Sequence, residues 1–75
     1  MTTIKDTMLR AILSDLYARE ERAKATIKIY FENPAGVADH SEILDEIVKW
    51  ANIAAEARDA REYLIEEFDS TGEEQ

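Results

Sequence analysis

The stretch Asn33-Pro34-Ala35-Gly36-Val37-Ala38-Asp39-His40-Ser41 divides a chain that reads as helix on both sides. Pro34 has no N–H and disfavours helical geometry at Asn33, so a helix arriving from the amino terminus stops near Phe31–Glu32. Asn33-Pro34-Ala35-Gly36 then reads as a β-turn, with proline preset at its second position and glycine closing it. Asp39, followed three residues later by Glu42, resembles a capping-box start, although the usual cap is Ser or Thr. A single helix continuing through Pro34 and Gly36 would carry a penalty of ~4 kcal/mol. Stop, turn and start predict an all-α antiparallel helical hairpin.

Working outward, residues 4–31 contain neither glycine nor proline and are rich in Ala, Leu, Lys, Arg and Glu. Thr3 offers a capping hydroxyl and Asp6 an acid in the first turn. An apolar seam runs through Leu9, Ile12, Leu16, Arg19, Ala23, Thr26 and Tyr30, beside a second row of Met8, Leu13, Ile27 and Phe31. The seam is polar in its middle, from Ala18 to Lys24, where Glu20–Lys24 reads as a supporting surface pair. The second helix, about 40–68, has a more regular seam: Ile43, Ile47, Trp50, Ala54, Ala57, Arg61, Leu64 and Phe68 alternate four and three, with one charged intruder. Leu44, Val48, Ala51, Ala55 and Ile65 flank it. Folding about the turn pairs residues whose numbers sum to roughly 72, which sets Leu9 against Leu64 and Ala23 against Trp50. The expected organisation is one hairpin domain over 1–68, with the turn at 32–39, and a disordered acidic tail over 69–75.

A chain of 75 residues makes one domain. Such a chain buries only ~60% of its unfolded surface, near the limit of independent stability. It has no cysteine and one histidine, so neither disulfides nor a thiolate or histidine metal cluster supplies the missing stability. Self-association is the remaining device. The apolar arcs are also wider than one partner helix covers, which predicts a homodimeric four-helix bundle. Leu9, Ile12, Leu16, Ile43, Ile47, Trp50, Leu64 and Phe68 are its expected core and dimer interface, with Asn33, Pro34 and Gly36 forming the turn. Arg19 and Arg61, on the seams, are expected to pack their stems and reach acids such as Asp15 or Glu62 rather than form an anion site.

Catalytic signatures are lacking. His40 lies at the turn, the acids fall mainly on outward positions, and Gly36 and Gly72 are the only glycines, so no phosphate loop, triad or di-metal motif arises. The expectation is a non-enzymatic protein-interaction module without cofactor or metal. No basic-then-apolar leader and no membrane-length apolar run is present, so the expected location is the cytoplasm, without membrane contact. The alternative class is RNA binding through Arg10, Tyr17, Lys24 and Lys28, which share one side of the first helix. Its layout resembles Rop-like plasmid RNA-binding hairpin dimers. The formal charge of −8, concentrated in the second half, opposes nucleic acid as a partner; a further alternative has the acidic arm mimic DNA toward a host protein, against the plain reading that acidic surfaces are common in soluble proteins.

The stretch Ile29-Tyr30-Phe31-Glu32-Asn33-Pro34-Ala35-Gly36-Val37-Ala38-Asp39-His40 resembles a segment of small uncharacterised helical-hairpin proteins of large tailed bacteriophages. Their loop runs Asn-Pro-x-Gly-hydrophobic-x-acid-His. The likeness covers about the middle third of the chain and departs at Ser41, where those proteins have proline. It implies a viral accessory protein acting in the host cytoplasm, with a host or phage protein as partner, and it supplies no catalytic residues.

Overall fold

A computed structural model describes residues 3–33 and 41–69. They form two helices of 28 residues each, α1 (Ile4–Phe31) and α2 (Ser41–Phe68), packed against each other as an all-α hairpin. No strand occurs among the described residues. The turn from Pro34 to His40, the Asp39 cap and the tail from Ser70 onward lie outside them.

The start of α1 is fixed locally. The Asp6 N–H donates to Thr3 Oγ1 at 3.0 Å, and the Thr3 N–H donates to Asp6 Oδ2 at 3.3 Å, closing a reciprocal capping box. At the other end, the Glu32 N–H still reaches the Lys28 carbonyl at 3.0 Å, while the Asn33 N–H turns to Tyr30 at 3.2 Å. That shorter closure is how a helix ends before a residue whose helical geometry proline opposes.

The helical seams differ from the expected ones in one instructive way. On α2 the expected row holds: Ile43, Ile47, Trp50, Ala54, Arg61 and Leu64 are half-buried and Ala57 is 5% exposed. Phe68, at the end of that row, is 45% exposed. On α1 the inward row is Leu9, Leu13, Leu16, Glu20, Ala23, Ile27 and Tyr30. Ile12 lies outside it at 44% exposure, and Arg19 is turned to water. Both rows alternate three and four; the observed one carries Leu13 and Ile27 where the other carries Ile12 and Thr26, and it sets Glu20 against the arginines of α2.

From Glu20 to Ile27, cross-helix neighbours lie further along α2 than the expected register. Near the free end the expected pairs meet, Leu9 bordering a hollow with Leu64 and Leu16 one with Ala57, whereas Glu20 reaches Arg58 and Arg61 and Ile27 borders a cleft with Ala51. Side chains lean toward their own helix's amino terminus, so in an antiparallel pair the residues that touch carry higher numbers than those that are level. That lean accounts for part of the offset.

Packing within the hairpin is thin. Ala23 and Ala57 are the buried apolar residues, and no large side chain is fully buried among the described residues. Two alanines at the crossing let the helix axes approach closely but supply little apolar area. The rod measures 54 × 20 × 14 Å, with a radius of gyration of 16.8 Å. A compact chain of this length would have ~11 Å.

Candidate functional site

The middle of the hairpin holds one cross-helix polar cluster. Glu20, at 5% exposure, is the buried charged residue of the described chain. Its Oε1 accepts from Arg61 Nη1 at 2.6 Å, and its Oε2 accepts from Arg58 Nε and Nη2, both at 2.8 Å. Three charge-assisted bonds converge on one carboxylate. The Arg61 hydrogen bond, then that from Arg58, holds the Glu20 carboxyl below its ordinary value of 4.5. The Glu20 hydrogen bond in turn raises Arg58. The Arg61 side chain is 22% exposed and its guanidinium also lies 5.4 Å from the Tyr17 ring centroid. The Arg58 side chain remains 59% exposed.

This cluster corrects two expectations. Arg61 reaches across the hairpin to Glu20, not along its own helix to Glu62. Glu20 turns inward, so it does not pair with Lys24, whose ammonium reaches Glu21 at 3.4 Å. Arg19 does bind Asp15, at 2.9 Å, on the open surface. Arg19 and Arg61 therefore form no common anion site. Both Arg58 and Arg61 donate to a carboxylate already in place, and among the described residues no group of three or more His, Asp or Glu side chains is placed to hold a metal.

The remaining candidate surface is apolar. Beside the cluster, a cleft of about 290 Å³ opens between the helices, lined by Glu20, Lys24 and Ile27 from α1 and by Ala51, Ala54, Ala55 and Arg58 from α2. Around it lie exposed Tyr17 (53%), Phe31 (67%), Leu44 (52%), Val48 (59%) and Ile65 (41%). On the opposite side, at the free end of the rod, Met8, Leu9, Ile12, Leu64 and Phe68 border a hollow of about 310 Å³. Tyr63 meets Phe68 edge to face, with ring centroids 6.4 Å apart. The expected core residues thus fall into two groups. Leu9, Leu16, Ile43, Ile47, Trp50 and Leu64 are half-buried between the helices, whereas Ile12 and Phe68 face out.

The alternative RNA-contacting residues are exposed, but they do not form a free basic face. Arg10, Tyr17, Lys24 and Lys28 are all exposed. Lys24 is paired with Glu21, and the Tyr17 ring already carries the Arg61 guanidinium. Trp50 presents a different anomaly: its Nε1–H is buried with no hydrogen-bond partner, while the Lys49 ammonium sits 5.2 Å from the ring centroid. No helix of the described residues is long and apolar enough to cross a membrane. Comparison with protein-family models, with curated proteins and with solved structures found no match.

Proposed function

We propose that this chain is a non-enzymatic protein-docking module whose working form is a homodimeric four-helix bundle. One observation carries the reading: the hairpin leaves apolar side chains at 41–79% exposure on both helices and, among the described residues, fully buries no large one. An apolar band of that extent on a small rod is characteristic of an interface. A second copy would cover much of it and supply the core that the single hairpin lacks. The loop likeness to small phage proteins supports an accessory role in an infected cell, with a host or phage protein docked on what the dimer leaves uncovered.

The decisive measurement is mass in solution across a dilution series, with helicity followed by circular dichroism. A dimer that loses helicity as it dissociates supports the reading. A fully helical monomer at micromolar concentration would overturn it. A salt-sensitive gel-shift with structured RNA would replace it with the basic-face alternative.

A further inference from the structure

Beyond the seam that joins α1 to α2, each helix carries a second four-three row, on the side of the Ala51–Ala55 cleft. On α1 this row passes through Arg10, Leu13, Tyr17, Glu20, Lys24, Ile27 and Phe31, sharing Leu13, Glu20 and Ile27 with the seam. On α2 it passes through Leu44, Val48, Ala51, Ala55, Arg58, Glu62 and Ile65. A second seam beside the first is what a helix of a four-helix bundle needs, one for each neighbour.

The two rows share a gradient. At the turn end they present Ile27, Phe31, Leu44 and Val48. In the middle α2 offers Ala51, Ala55 and Arg58, the last bound to Glu20, while α1 offers exposed Tyr17 and Lys24. Toward the free end Arg10 and Leu13 stand on α1, and Glu62 and Ile65 on α2. The helices also differ in charge: α1 carries six basic and four acidic residues, and α2 three basic and eight acidic.

Two symmetric arrangements would cover this face with a second copy. If the turns lie at opposite ends, α2 faces α2 of the copy. Two acidic helices then adjoin, and Leu44 and Val48 are set against the charged half of their own row. If the turns lie at the same end, α1 faces α2 of the copy. Apolar halves then meet, Tyr17 comes over the alanines, and Arg10 comes level with Glu62 of the second copy. Unpaired charge against apolar side chains is costly, and like charges repel.

We infer that a second copy of this chain docks on the Ala51–Ala55 face with both turns at the same end, each α1 lying on the other copy's α2. This inference rests on the homodimer reading and adds the face and the orientation. It sets Met8, Ile12 and Phe68 on the outer surface of the dimer, free for a different partner.

The test uses the full chain carrying a spin label at Ile4→Cys, an exposed site at the free end and away from the proposed interface. Light scattering gives the mass, and dipolar electron resonance gives the distance between labels. The same-end dimer places the two labels within ~30 Å, because only neighbouring and diagonal helix spacings separate them. The opposite-end dimer places them at ~40 Å or more, because about one full helix length intervenes. A dimer with the short distance supports the inference. A dimer with the long distance overturns the orientation and leaves the homodimer reading standing. A monomer overturns both. Val48→Glu, at a position exposed in the hairpin, tests the face itself: at least a tenfold weaker dimer is expected, and unchanged association would reject that face.

Discussion

Arg61 on α2 donates to the Glu20 carboxylate on α1 at 2.6 Å, joining the one charged residue in each inward seam. Neither side chain suits an apolar seam alone; together, with Arg58, they satisfy each other. Buried pairs of this kind often add little net stability but penalise misregistered packing. Sliding α2 by one turn would separate Glu20 from its partners. The pair therefore acts as a register lock in the middle of the seam, where Ala23, Ala54 and Ala57 pack almost equally well at several offsets.

A double-mutant cycle checks this role. Glu20→Leu and Arg61→Leu should each lower the melting temperature, since each strands part of the cluster. The double variant should recover most of that loss, because matched apolar residues replace a matched pair and exposed Arg58 can turn to water. Losses that simply add would show that the two residues are not coupled.

The same carboxylate sets a pH dependence. Arg61, then Arg58, holds Glu20 below 4.5 in the folded chain, so the unfolded chain takes up its proton first as pH falls. Glu20 therefore contributes stability that is complete above about pH 5 and is lost as pH drops through the folded value. Glu20→Gln removes this dependence. The difference in melting temperature between the parent and Glu20→Gln should be constant above about pH 5 and shrink below it. A difference that widens with acid contradicts the assignment.

The hairpin was legible because its punctuation is local: Thr3 and Asp6 at the start of α1 and Pro34 after its end act within one turn of chain. The α2 seam was legible because apolar residues fill it at seven of eight positions. The middle of α1 was not. From Ala18 to Lys24 five of seven residues are charged, so hydrophobicity favours neither Arg19 nor Glu20 as the inward residue. The deciding signal was relational. Arg61 already stood in an apolar row and needed an acid across from it, and of the two equally spaced rows the one through Leu13 and Ile27 supplies Glu20 where the other supplies Arg19. The pairing of two long side chains across a hairpin depends on register, which the spacing of either helix alone does not specify.

Close approach at the crossing depends on Ala23, which is fully buried. Ala23→Leu inserts three carbons where two helix backbones meet and should cost ~1–3 kcal/mol through overpacking, despite added apolar area. Ala18→Leu, on an exposed position of the same helix, should stay within ~0.5 kcal/mol. Urea unfolding at one fixed protein concentration measures both. Equal effects would mean that Ala23 is not a contact-limiting position.

Trp50 combines a half-buried ring with an Nε1–H that finds no acceptor. Those features pull in opposite directions. The ring fills the seam, so Trp50→Ala should cost about 2–3 kcal/mol, somewhat less than the ~3–5 kcal/mol typical of a fully buried aromatic. The unmet donor is itself a penalty of ~1–3 kcal/mol, and Trp50→Phe removes it while keeping most of the apolar surface. Trp50→Phe should therefore change stability by less than ~1 kcal/mol in urea unfolding followed by far-ultraviolet circular dichroism, at the same protein concentration as the parent. A loss for Trp50→Phe as large as that for Trp50→Ala would show that the indole nitrogen contributes favourably, and that it finds an acceptor in the assembled protein which the single hairpin does not provide.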